Sequence, residues 1–113
     1  MLYDGALRFM GGALTAMRQE NRFDQNEKLT RAQRIITELM SCLDMDKGGE
    51  IAQNLMALYS YVYDQLVQAN LNDDEEAILR AQKVMSDLRA SWAELDKSTH
   101  VEAPNSSFTD AAA

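Results

Sequence analysis

The stretch Asp46-Lys47-Gly48-Gly49-Glu50-Ile51-Ala52-Gln53-Asn54-Leu55, running on through Leu58-Tyr59-Ser60-Tyr61 to Leu66, Ala69 and Asn70, reads as a two-glycine turn that becomes one long helix. On a 3.6-residue wheel, Ile51, Leu55, Leu58, Val62, Leu66 and Ala69 form one stripe. Ala52, Met56, Tyr59, Tyr63 and Val67 form a second stripe beside it. At about 100° per residue the two stripes cover roughly 180°, whereas a helix at the edge of a small bundle needs an apolar face of only about 100°. Such a helix either touches two neighbours in its own chain or keeps apolar surface for a partner. Spacing alone leaves both open.

The flanking sequence repeats the helical period. In residues 1–20, Tyr3, Ala6, Leu7, Met10, Ala13, Leu14 and Met17 recur at gaps of three and four. Gly5, Gly11 and Gly12 are costly there, about 1 kcal/mol each relative to Ala. Close helix–helix approach would compensate; so would a smooth floor for a partner segment. In residues 25–43, Leu29, Ala32, Ile36, Leu39 and Leu43 keep heptad spacing, with Asp24 and Glu27 as a capping-box-like start. The organising helix spans 48–71. The last spans 73–97, capped by Asn72 or Asp73, with Ile78, Ala81, Met85, Leu88, Trp92 and Leu95 on one face. Residues 98–113 lose the pattern and are expected to form a disordered tail in which Phe108 is the one large apolar side chain after Val101. No strand pattern occurs. The expectation is an all-α protein: one domain over 1–97, an antiparallel up-down four-helix bundle with a flexible C-terminal tail, since short connections force neighbouring helices antiparallel.

Composition narrows function. A net charge of −7 argues against nucleic acid, whose phosphates need clustered Lys and Arg, and against an anionic membrane surface. No apolar run reaches the roughly 18 residues that a membrane span needs, and Met1-Leu2-Tyr3-Asp4 lacks the basic start of a signal peptide. The single cysteine, Cys42, fits a reducing compartment and is expected as a small hydrophobe in a helix.

Chemistry is scarce. The one histidine, His100, lies beyond the helices, so no metal, haem, Cys–His or Ser–His arrangement is supported. Asp44-Met45-Asp46 is not a calcium loop, because the position of the bidentate Glu is Leu55. No cofactor, metal or catalytic residue is expected, and the protein is read as a non-enzyme. Asp4 and Asp64 are the acids nearest apolar stripes; each either meets a partner's donor or forms a surface ion pair. Tyr61 points away from the stripes, in line with Asn54 and Gln68, an arrangement suited to recognising a backbone and equally to the rim of a bundle.

Taken in order, Met1-Leu2-Tyr3-Asp4-Gly5-Ala6, Arg31-Ala32-Gln33 with Ile35-Ile36, Lys47-Gly48-Gly49-Glu50-Ile51-Ala52-Gln53-Asn54-Leu55, Leu58-Tyr59-Ser60-Tyr61, Ala69-Asn70 and Trp92 resemble the FliS family of flagellar export chaperones. The likeness covers roughly residues 1–96. It implies a cytoplasmic helical bundle that binds the C-terminal region of flagellin, prevents its premature polymerisation and delivers it to the flagellar export apparatus. On this reading Leu55, Met56, Tyr59 and Tyr63 form an apolar groove wall. Asn54 and Tyr61 supply polar recognition, and Leu2, Gly5 and Phe9 form a second wall. Family members carry a further N-terminal segment ahead of the Leu2-Tyr3-Asp4-Gly5-Ala6 motif, part of which helps cover the client groove. This sequence begins at the motif and is therefore expected to be N-terminally shortened, with a less protected groove and a tendency to self-associate. The alternative is a non-catalytic scaffold whose spare stripes serve homo-dimerisation.

Overall fold

The computed structural model describes residues 2–99, and the side chains of residues 2–91. The expected burial of Trp92 and Leu95, the placement of His100 and all but the first two residues of the tail expected over 98–113 lie outside the described residues; those two continue the last helix instead. Four helices follow one another: α1 (Leu2–Arg18), α2 (Arg22–Ser41), α3 (Met45–Asn72) and α4 (Glu75–Thr99). Among the described residues there is no strand. The expected all-α bundle is what forms. Each helix lies against two neighbours, α1 on α2 and α4, and α3 on α2 and α4. Ion pairs between Asp4 and Arg89, and between Arg18 and Glu75, join opposite ends of α1 and α4 and mark them as antiparallel.

The caps differ from the sequence reading. Asn21, not Asp24, begins α2: its Oδ1 accepts from the Asp24 backbone N–H at 3.1 Å. Asp24 instead pairs with Lys28 one turn on, at 3.5 Å. Asp44 caps α3, accepting from the N–H groups of Asp46 and Lys47. Asp73 closes α3 in the left-handed conformation, φ 53°, and Asp74 rather than Asn72 or Asp73 caps α4, accepting from Glu76 and Ala77. Cys42 is the exposed C-cap residue of α2 rather than a buried hydrophobe.

Gly48 and Gly49 do not precede the helix; they kink it. Gly49 has φ 55° and ψ −132°, a conformation that only glycine adopts without strain. A Cβ on Gly48 would stand 2.5 Å from that of Ala52. On α1, a Cβ at Gly5 would press on Ile35 and one at Gly12 on Lys28, both at 3.3 Å. Of the two readings of these glycines, close approach of α1 to α2 is therefore realised.

The core is built from Tyr3, Ala6, Met10 and Ala13 of α1, Leu29, Ala32, Ile36 and Leu39 of α2, and Ala77, Ile78, Ala81 and Met85 of α4. On α3 the buried row is Ala52, Leu55, Tyr59, Val62, Leu66 and Ala69, with gaps alternating between three and four. This row takes members from both expected stripes. Its phase is tied down by polar contacts. The Tyr3 and Tyr59 hydroxyls hydrogen-bond across the middle of the bundle. Burial, then the bond to Tyr3, pushes the Tyr59 phenol well above its ordinary range. At the far end, buried Gln25 donates through Nε2 to Asp73 Oδ1 at 2.9 Å and to Asn70 Oδ1 at 3.4 Å. Asn70 in turn donates to Asn26 Oδ1 at 2.8 Å, fixing α2 against α3.

Candidate functional site

With Ala52, Leu55, Tyr59, Val62, Leu66 and Ala69 turned inward, the remaining apolar residues of α3 fall on its two flanks. One flank carries Ile51 and Leu58, seven residues apart, which are 51% and 38% exposed. Beside them run Asn54, Tyr61 and Gln68, also at seven-residue spacing, all exposed. This flank leans toward α4, because Gln65, on the same side, accepts from Arg80 Nε at 2.8 Å. One and two turns beyond Arg80, Val84 and Leu88 are partly buried against the core and extend the apolar strip onto α4. The result is a face on α3 with two aliphatic anchors, an aromatic hydroxyl and two amides.

The opposite flank of α3 carries Met56 and Tyr63, both half-buried. Tyr63 lines an open cleft of about 280 Å³ with Thr30, Gln33, Arg34 and Thr37 of α2. Leu2, Gly5 and Phe9 lie on α1, and Gly5 abuts Ile35 of α2. Two guanidinium groups lie over the Phe9 ring, Arg8 Cζ at 5.4 Å and Arg31 Cζ at 5.7 Å from its centroid. Leu55 and Tyr59 are in the core, at 7% and 0% exposure.

The nine residues singled out from sequence therefore do not share one groove. Asn54 and Tyr61 stand together on the α4-facing flank, and Met56 and Tyr63 on the α2-facing flank. Leu2, Gly5 and Phe9 belong to the α1–α2 seam, and Leu55 and Tyr59 to the interior. Sequence reasoning passed over Ile51 and Leu58 as site residues, although both belonged to an apolar stripe. Asp4 pairs with Arg89, which is the surface ion pair weighed for it, while Asp64 has no ion pair among the described residues.

Among the described residues no three His, Cys, Asp or Glu side chains converge to hold a metal ion. No described helix is long and apolar enough to cross a membrane.

A family model described as flagellar protein FliS matches residues 1–99. A flagellar secretion chaperone FliS of Salmonella typhimurium is 38% identical over 96 residues, covering 84% of this chain and 71% of the relative. The Vibrio cholerae protein of the same name is 33% identical over 100 residues, covering 88% and 74%. That of Bacillus subtilis is 35% identical over 92 residues, covering 81% and 68%. The matched span takes in all four helices and the exposed flank of α3, and the chain belongs to the FliS family of flagellar proteins.

Proposed function

We propose that this protein is a non-catalytic flagellar export chaperone. Acting in the cytoplasm, it holds the C-terminal region of flagellin, keeps it from polymerising early and delivers it to the export apparatus. The observation that carries the reading is the α4-facing flank of α3. Ile51 and Leu58 remain in solvent although the core beneath them is closed, with Tyr59, Val62 and Leu66 at 0% exposure. Apolar side chains left out of a saturated core at seven-residue spacing match the anchors of a helix laid into a groove.

The physical demand on such a chaperone is a broad apolar surface. A client segment that is disordered before assembly loses conformational entropy on binding, so many contacts must offset the ordering. Ile51 and Leu58 would supply apolar anchoring. Tyr61, Asn54 and Gln68 would hydrogen-bond client backbone where it leaves helical geometry.

Calorimetric titration of a flagellin C-terminal peptide into the full chain tests this. The expected result is binding at about micromolar Kd or tighter, a negative heat-capacity change and a gain of helix by circular dichroism. No heat and no added helix with peptide well above that concentration would overturn the proposal.

A further inference from the structure

We infer that the end of the bundle where α2 begins and α3 finishes carries a second docking face, shaped for a short amphipathic segment whose apolar side chains are flanked by Lys or Arg. The face adjoins the α4-facing flank of α3 at Gln68, but its Leu71 lies more than three turns from Ile51 and Leu58, and it does not depend on the client assigned to that flank.

Phe23 and Leu71, at 80% and 72%, are the two most exposed large apolar side chains among the described residues. They leave neighbouring helices at the most heavily cross-linked place in the bundle. Phe23 follows Arg22, whose guanidinium pairs with Asp73. Leu71 follows Asn70, which is bonded to Asn26 and Gln25. The two side chains are therefore presented from a fixed platform and not from a fraying end. Seven residues before Leu71, on the same face of α3 and about 10 Å away along the axis, stands exposed Asp64.

Charge identifies the occupant. At this end Arg18 pairs with Glu75, Arg22 with Asp73, Lys28 with Asp24, Arg31 with Glu27 and Arg80 with Asp74. Every cation there is matched, while Glu20, Asp64 and Glu76 have no cationic partner among the described residues. The nearest unmatched cation, Arg34, lies eleven residues past Phe23, about 16 Å along α2, where it lines a cleft with Tyr63 and so stands on the Asp64 side of the face. An apolar pair inside a field of uncompensated carboxylate attracts Lys and Arg and repels acidic segments, nucleic acid and anionic lipid. It also opposes a second copy of the chain, since a two-fold contact would bring the same carboxylates face to face.

The test uses a synthetic helical peptide with Leu at i, i+3, i+4 and i+7 and Lys on both flanks, titrated into the isotopically labelled full chain. Amide shifts should centre on Phe23, Asn26, Asp64 and Leu71. The Phe23→Ser/Leu71→Ser variant should bind about tenfold or more weakly, while Ile51→Ala/Leu58→Ala should bind as well as the parent chain. Asp64→Lys should also weaken binding, and added salt should mimic it. An unchanged melting temperature for Phe23→Ser/Leu71→Ser shows that the fold is intact. The inference is overturned by shifts centred on Ile51 to Tyr61, by shifts spread over every carboxylate, or by equal binding of a peptide with Glu in place of Lys. Concentration-dependent dimers abolished by Phe23→Ser/Leu71→Ser would overturn it too, assigning the face to a second copy.

Discussion

Replacing Ile51 and Leu58 together by Ala should weaken client binding far more than it weakens the fold. Fully burying an aliphatic side chain of this size is worth roughly 1.5–3 kcal/mol. Ile51 keeps 51% of its surface in solvent and Leu58 keeps 38%, so about half and two-fifths of that value are still available to a partner. The sum is roughly 1.3–2.7 kcal/mol, and Ala retains a β-carbon, leaving a loss of roughly 1–2 kcal/mol. In dissociation constant this is about 5- to 30-fold. The same substitution at Leu66, which has no exposure, removes an entirely internal contact and should cost roughly 2–5 kcal/mol of stability. The assay pairs calorimetric titration of a flagellin C-terminal peptide with chemical denaturation of each variant, at a temperature where all are folded. If Leu66→Ala weakens the peptide as much as the double variant does, or if the double variant binds normally, the division of α3 into inward row and outward flank is wrong.

Tyr3→Phe should cost about 1–3 kcal/mol, because it leaves the fully buried Tyr59 hydroxyl without the bond that Tyr3 provides; adding Tyr59→Phe should recover most of the loss in denaturant midpoint. Since folding raises the Tyr59 pKa from its ordinary 10.0, the stability it contributes is complete below that pH and is lost as pH rises beyond it, by up to about 1.4 kcal/mol per pH unit; Tyr59→Phe should lose this slope in alkaline melts. Gly49→Ala meets open space, so its cost is conformational, about 1–3 kcal/mol, and hydrogen exchange should show it first in the opening turn of α3.

Helix number and order were legible because gaps of three and four persist through each segment and a polar break separates one segment from the next. The caps were less so. Several side chains able to cap stand close together at 21–24 and again at 72–74, and periodicity ranks none of them. What decides is tertiary: Asp73 is held by Gln25 and Arg22 as the C-cap of α3, which leaves Asp74 to cap α4. The division of α3 was not legible either. Leu58 and Tyr59 are adjacent, both apolar enough to bury, and on a wheel each continues a stripe. Tyr59 goes inside because its ring fills the centre and its hydroxyl meets Tyr3 from the facing helix, a partner fifty-six residues away in sequence. Leu58 is displaced to the flank in consequence. The expected groove wall therefore contained two core residues, Leu55 and Tyr59, and omitted the two aliphatic side chains that stay exposed.

A chaperone that works through exposed apolar side chains must keep them from sinking into its own core. Rotating α3 by one residue, about 100°, would trade Tyr59 for Leu58 at the centre and hide the proposed client face. Burial opposes this, because the same turn would carry the amides of Asn54, Gln65 and Gln68 inward and put Leu55, Val62 and Leu66 in solvent. The polar contacts add to this. The rotation would break the Tyr3–Tyr59 bond and pull Asp73 and Asn70 away from Gln25, and leaving the buried Tyr59 hydroxyl and Gln25 amide unpaired costs roughly 1–3 kcal/mol each. Burial and the hydrogen bonds therefore select the same face of α3. The Tyr3→Phe/Tyr59→Phe variant separates the two effects. Its denaturation midpoint should lie well above that of Tyr3→Phe alone, yet the Leu58 methyl resonances should broaden as α3 samples more than one phase, and peptide affinity should fall. Sharp Leu58 signals with parental affinity in that variant would show that packing alone sets the register.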